Sequence, residues 1–249
     1  MDAAAAARPQ YNDVDAITTS PEVAALPELM WLGCYPQDAP AYHTFVVENS
    51  VRLSVQLQVP NRHCPSYHAT AAGEVIRVVF PAGDAAELHL RSVDLLDLGG
   101  EVEATTRVYV VHPSAGEPWT WTALCVCWPD FGVLSPAALH ALLREWDRRV
   151  VAAAAEAAPG NKINTHVHCR AGIGRSGTFA LARALWRSPP RGGAAAWSLA
   201  AASGVLAEMR ESRPGLVETD AQLAGATNAA NALRGCCGGG AIPGSDPRG

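Results

Sequence analysis

The chemistry in this chain gathers in one unbroken stretch, His168-Cys169-Arg170-Ala171-Gly172-Ile173-Gly174-Arg175-Ser176-Gly177-Thr178. Three kinds of anion site compete for it. Residues 172–177 fit the pattern G-x-G-x-x-G. A dinucleotide fold also needs an acidic residue about 20 positions on, to hold a ribose, and there is no Asp or Glu from Thr178 to Ala207. A nucleoside-triphosphate loop needs Lys and then Ser or Thr after its last glycine, whereas Gly177 is followed by Thr178 and Phe179. The third reading uses the residues that the other two ignore. Cys169 ends a strand and opens a glycine-rich turn that runs into a helix. Backbone N–H groups in such a turn bind an anion, helped by the positive end of the helix. The same field favours a thiolate, lowering a cysteine pKa from about 8.5 to roughly 3.5–7.5. A closed loop brings the Arg175 guanidinium back over the sulfur, where its planar fork can hold two phosphoryl oxygens. A thiolate beside that fork and a ring of amides makes a nucleophilic phosphoryl-transfer site.

Such a site needs a proton donor for the leaving oxygen. Trp128-Pro129-Asp130-Phe131-Gly132 supplies a carboxylate at the tip of a loop between strand and helix. Alone, the segment fits an ordinary turn with a capping aspartate. Together with the cysteine loop about 40 residues later it supplies the missing acid.

These residues carry a resemblance. His168-Cys169-x5-Arg175-Ser176-Gly177 is similar to the signature of the cysteine-dependent protein tyrosine phosphatases, and Trp128 to Gly132 resembles their mobile acid loop. The resemblance implies that Cys169 attacks phosphorus and becomes a phosphocysteine. Arg175 binds the phosphoryl group, and the loop residues Arg170, Ala171, Gly172, Ile173 and Gly174 surround it. Asp130 protonates the tyrosine leaving group and then serves as base toward the hydrolytic water. Ser176 hydrogen-bonds the sulfur and eases its departure, and His168 tunes the thiolate from behind the loop. Gln10-Tyr11-Asn12-Asp13-Val14 resembles the phosphotyrosine-recognition loop, with Tyr11 stacking on the substrate ring and Asp13 binding the peptide backbone. His63-Cys64-Pro65-Ser66-Tyr67 resembles a strand segment of the family, with His63 where lysine is usual. Val217 to Leu223 resembles the glutamine loop that orients the second-step water, with Gln222 matching a family glutamine. The chain also departs from the pattern. Glu218 stands where a second glutamine is usual and adds negative charge near a dianionic substrate. Arg170 replaces the common serine and adds positive charge beside the loop. The helices that usually precede the recognition loop are missing, and the domain looks trimmed.

The elements that must position these groups follow from the apolar pattern. Between about Val51 and Cys127 the chain reads as short strands: Val51–Val59, Val75–Phe80, Leu88–Val93, Arg107–Val111 and Trp119–Leu124. The first alternates apolar and polar residues, as a half-buried strand does. Beyond Asp130 it reads as helices. Ser135-Pro136 is a cap followed by proline at the first helical position. Leu139, Leu142, Leu143, Trp146 and Val150 then recur at helical spacing until Pro159-Gly160 stops the run. A strand at Ile163–His168 precedes helices near Gly177–Arg187, Ala195–Arg210 and Asp220–Arg234. The fold class expected is α/β: one domain over residues 8–234 with a central twisted mixed sheet flanked by helices. An Ala-rich stub (1–7) and a Gly/Pro-rich tail (235–249) read as disordered. The tryptophans, Trp119, Trp121 and Trp146 among them, are expected in the core.

Composition bounds the partners. The chain has 249 residues, a net charge of −5 and a single lysine, Lys162. That balance argues against a general nucleic-acid binder. No uncharged stretch is long and apolar enough for a membrane span, and the N-terminus has no signal-peptide pattern. Seven cysteines without a C-x-x-C pair or an H-x₃₋₅-H motif give no zinc pattern and fit reduced cytoplasmic thiols. The expected partners are phosphotyrosine-bearing proteins, acted on without metal or organic cofactor. Nothing in the sequence sets an oligomeric state. Two alternatives stay open: a phosphotyrosine-binding pseudophosphatase, and a cysteine phosphatase for phosphoserine or phosphothreonine, RNA 5′-triphosphate or phosphoinositide. Tyr11 is the feature that separates a deep tyrosine pocket from a shallow basic one.

Overall fold

The computed structural model describes residues 11, 13–17, 28–61, 64, 66–80, 82–99, 102–130, 132–157 and 162–236. The expected stub, nearly all of the expected tail, and Gln10, Asn12, His63, Pro65 and Phe131 lie outside these residues. Among them the strands are β1 (Val14–Ala16), β2 (Glu28–Gly33), β3 (Val51–Gln56), β4 (Val75–Val79), β5 (Ala85–Leu95), β6 (Ala104–His112), β7 (Trp119–Val126) and β8 (Ile163–His168). The helices are α1 (Ala39–Glu48), α2 (Pro136–Glu156), α3 (Gly174–Arg187), α4 (Leu199–Ser212) and α5 (Asp220–Cys236). All strands join one mixed sheet in the order β1-β2-β8-β3-β7-β6-β5-β4. The α/β class expected from the sequence is the class observed.

The sheet has a parallel centre and antiparallel flanks. β2 and β3 both run parallel to β8, and β7 runs parallel to β3. Gly33 and Gln56 both pair with His168, and Gln56 also pairs with Cys125. The parallel strands therefore end together, and the loops that follow β2, β7 and β8 open on one edge. Ligands of open α/β sheets bind at that edge.

Side chains alternate across the sheet with the period of two that a strand imposes. In β7, Leu124 and Val126 pack with helices α2 to α5, while Trp121 and Ala123 pack on the other face with Tyr42, Phe45 and Val46 of α1. In β8, Ile163 and Val167 join the first cluster, so the alternate residues His166 and His168 face the aromatic layer of α1. Ser135 caps α2 as expected, accepting from the Ala138 N–H at 3.1 Å, and Leu139, Leu142, Leu143, Trp146 and Val150 form its buried stripe. Trp119 is corrected: it is only half-buried, lying under the Arg52 guanidinium 5.0 Å from its ring.

Three elements were not legible in the sequence. β2 is a short, mostly apolar run whose periodicity cannot distinguish strand from helix. β1 is only three residues long. In α1, Thr44, Val46 and Val47 are β-branched and weaken the helical signal, and the Asp38 cap, accepting from Ala41 N–H at 3.3 Å, fixes its start.

A buried ion network ties β2 to the helices. Glu28 and Arg183 have fully buried side chains and pair at 3.0 Å, and Arg183 also reaches Asp147 of α2 at 3.0 Å. The Trp146 indole N–H lies 3.5 Å from the same Glu28 oxygen. Arg183→Met strands the Glu28 carboxylate in the core and is expected to cost about 3–5 kcal/mol. Adding Glu28→Leu should recover most of that loss. Urea unfolding of both variants checks this; a single variant as stable as the parent would contradict it.

Candidate active site

The loop from Cys169 to Gly174 is held from outside, carbonyl by carbonyl. Leu57 N–H donates to His168 O at 2.8 Å and Tyr35 N–H to Arg170 O at 2.9 Å. Arg213 donates to Ala171 O at 3.1 Å and to Gly172 O at 2.9 Å. Ile173 O accepts from Gly177 N–H at 2.9 Å and Val217 N–H at 3.2 Å. In a trans peptide the N–H points away from the preceding C=O. Holding these carbonyls outward therefore turns the N–H groups of Ala171, Gly172, Ile173 and Gly174 inward. The Gly172 N–H reaches the Cys169 sulfur at 3.3 Å. Gly172 has φ +72°, and a Cβ there would run into the Gly33 carbonyl, so only glycine fits.

The helix after the loop starts earlier than the sequence pattern suggests, at Gly174 and not Gly177. Its first turn has no side-chain cap and no acidic residue, so its N-terminal donors stay available for an anion. Arg175 and Ser176 are thereby carried in that first turn. Cys169 and Arg175 are both nearly inaccessible, at 2% and 3% exposure.

The acid loop meets this loop through Arg175. One guanidinium nitrogen pairs with Asp130 at 2.8 Å and another donates to Trp128 O at 3.0 Å. The Trp128 indole in turn donates to Gly132 O at 3.0 Å. Asp130 is about half exposed. Sequence reasoning selected Cys169, Arg175 and Asp130, and the fold pairs Arg175 with Asp130 and sets Cys169 at the start of the loop that leads into the helix carrying Arg175.

Other expected site residues sit differently. The Ser176 hydroxyl is buried without a hydrogen-bond partner, so the expected bond to the sulfur is not made in this state. Arg170 is exposed, contributing its carbonyl to the loop and its charge to the surface. Gln222 is fully buried; its Oε1 accepts from the Glu218 N–H at 2.8 Å, and its Nε2 has no partner. Tyr11 does not offer its ring as a pocket wall. The ring packs edge-on against Tyr42, Phe45 and His166, and its hydroxyl donates to Cys34 O. The reason is the pairing of β1 with β2, which draws Tyr11 into the aromatic layer over α1. Asp13 spends a carboxylate oxygen on Arg213 at 2.8 Å. His168 contacts the Tyr67 hydroxyl, and burial lowers its pKa to about 3. It is therefore neutral at physiological pH and brings no positive charge to the thiol.

The residue that sequence reasoning missed is Arg213. It is 5% exposed and joins Ala171 O, Gly172 O, Asp13 and Asp15, the last at 2.6 Å. One guanidinium thus fixes both the loop and the segment before β2. Its signal was one arginine in Arg210-Glu-Ser-Arg213, which nothing local distinguishes from a surface charge.

Among the described residues no group of three or more His, Cys, Asp or Glu side chains is placed to hold a metal ion. No helix among them is long and apolar enough to cross a membrane. A cavity of about 660 Å³ is lined by Leu98, Arg107, Cys125 and Cys127 among others, and no residue of the Cys169 loop lines it.

Residues 91–231 match the family model of the protein-tyrosine phosphatases, and the chain belongs to that family. No curated protein matches it in sequence. Two solved structures similar in fold are trypanosomal. The Trypanosoma cruzi protein tyrosine phosphatase TcPTP1 has a TM-score of 0.67 at 22% identity, covering 97% of this chain and 77% of its own. The Trypanosoma brucei protein tyrosine phosphatase TbPTP1 has a TM-score of 0.62 at 23% identity, covering 85% and 71%.

Proposed function

We propose that this protein hydrolyses phosphotyrosine in cytoplasmic proteins through a phosphocysteine on Cys169, without metal or organic cofactor. The observation that supports this most is the set of outward-held carbonyls, which turns the loop N–H groups inward, that of Gly172 onto the buried Cys169 thiol, in the loop that leads into the helix carrying Arg175. A phosphoryl group, with three oxygens to share, can use the inward N–H groups and the guanidinium fork together.

The steps follow from the groups present. The substrate phosphoryl group takes the Arg175 fork, so Arg175 releases Asp130 and Trp128 O. Asp130, released from Arg175, is then free to face the leaving oxygen. The Cys169 thiolate attacks phosphorus, the P–O bond to the tyrosyl oxygen breaks, and Asp130 protonates that oxygen. Water then displaces the sulfur, and the unpartnered Ser176 hydroxyl is free to donate to the departing thiolate. Gln222 offers its buried amide to the water.

The test is phosphate release from a phosphotyrosine peptide beside a phosphoserine peptide of the same sequence, under reducing conditions. Release from the tyrosine peptide, at least about a hundredfold faster than from serine, is the expected result. Release from serine at equal rate would give the site a broader substrate class, a live outcome because Tyr11 is packed inward. Tight binding without release would make the protein a phosphotyrosine-binding module.

A further inference from the structure

We propose that Glu218 is a second proton acceptor for the hydrolysis of the phosphocysteine, acting on water held between its carboxylate and the amide of Gln222; this rests on the phosphocysteine reading above. The segment that carries Glu218 is strained into place. Val217 has φ +59°, a left-handed conformation that a β-branched residue rarely adopts. Such a conformation persists only where the surroundings over-determine it. They do so here. Val217 N–H donates to Ile173 O at 3.2 Å, and Arg210 donates to Leu216 O at 2.8 Å and to Val217 O at 2.9 Å.

The result is a carboxylate and an amide at the same residue of the anion loop. A Cβ on Gly174 would overlap Glu218 Oε2 and would lie 3.2 Å from Gln222 Nε2. The Glu218 N–H holds the Gln222 Oε1 at 2.8 Å, so the amide orientation is fixed and Nε2 is left as a buried donor without a partner. A buried donor without a partner calls for an occupant. A water between the two groups would accept from Nε2 and donate to the carboxylate. Among the described residues Glu218 pairs with no cation, whereas Asp130 is paired with Arg175 at 2.8 Å. Next to an anion site an unpaired carboxylate opposes substrate binding. It earns its place by accepting a proton.

The step balances. The water oxygen bonds to phosphorus, and the P–S bond breaks with its electron pair on Cys169 as thiolate. The water proton passes to Glu218, and hydrogen phosphate leaves.

The test uses 4-nitrophenyl phosphate, whose phenolate leaves without protonation, so that loss of Asp130 spares the first step. The unmutated protein, Asp130→Asn, Glu218→Gln and the double variant are acid-quenched during turnover and weighed intact. Phosphocysteine is expected to accumulate in the double variant at least about tenfold above Asp130→Asn alone. Equal accumulation in those two would overturn the role of Glu218. Turnover without accumulation in the double variant would overturn it too. Should the glutamine variant not fold, Glu218→Asp in the Asp130→Asn background carries the test, with intermediate accumulation expected and none above Asp130→Asn overturning the proposal. Failure of the unmutated protein to release either nitrophenolate or phosphate would instead remove the phosphocysteine reading itself.

Discussion

Cys169→Ser is expected to lower phosphate release at least about a thousandfold while phosphotyrosine-peptide binding persists. The chemical reason is the nucleophile. A serine hydroxyl is a far weaker nucleophile toward phosphorus than a cysteine sulfur. The structural reason concerns what the sulfur does not do. The loop is held by bonds to the carbonyls of residues 168 and 170–173, and among the described residues the sulfur accepts from the Gly172 N–H alone. The serine variant should therefore keep the loop, the Arg175 fork and the urea midpoint of the parent. Rates on a phosphotyrosine peptide and calorimetric titration with that peptide check the two halves. A variant with parental turnover would remove Cys169 from the chemistry, and one that loses binding as well would mean that the sulfur holds the loop together.

Acid should destabilise this fold well above the range in which carboxylates titrate. His43, His68, His166 and His168 are all buried. Burial lowers the pKa of His43 to about 4 and that of His168 to about 3, and it drives those of His68 and His166 well down. Three of them have a tyrosine hydroxyl as partner and no carboxylate: His68 with Tyr109, His166 with Tyr42 and His168 with Tyr67. An unfolded histidine takes a proton below about pH 6.5. The folded ones refuse it until far lower. Between those limits the unfolded chain binds more protons, so stability is full above about pH 6.5 and falls as the pH drops. Each histidine contributes a slope of up to about 1.4 kcal/mol per pH unit. Four together reach several kcal/mol by about pH 5, comparable to the whole stability of a domain. Urea midpoints at about pH 7.5 and 5.5 should differ clearly, and His43→Gln should reduce the difference. Equal midpoints would mean that these histidines titrate in the folded state.

How much of this was legible beforehand depends on distance along the chain. The Cys169 loop is contiguous, so its glycines, arginine and following helix signal their own geometry, and the class of fold followed from the run of strands and helices around it. Asp130 was legible as an acid on a loop, although its pairing with Arg175 was not. What only the tertiary structure decided lies in pairs of residues far apart. Arg213 meets Asp13 across 200 positions, and no local pattern separates such an arginine from a surface charge. Tyr11 matched a recognition loop, yet pairing of β1 with β2 buried its ring among Tyr42, Phe45 and His166. Ser176 was chosen as a partner for the sulfur, and packing left its hydroxyl unpartnered. Glu218 showed in the sequence as a misplaced charge. Only the strained backbone at Val217 and the bond from its own N–H to Gln222 seat that charge against Gly174. Local sequence sets which conformations a segment can adopt, and therefore the loop and the helix that carry the thiol. Which side chains complete the site is set by the order of strands in the sheet, which no short segment encodes.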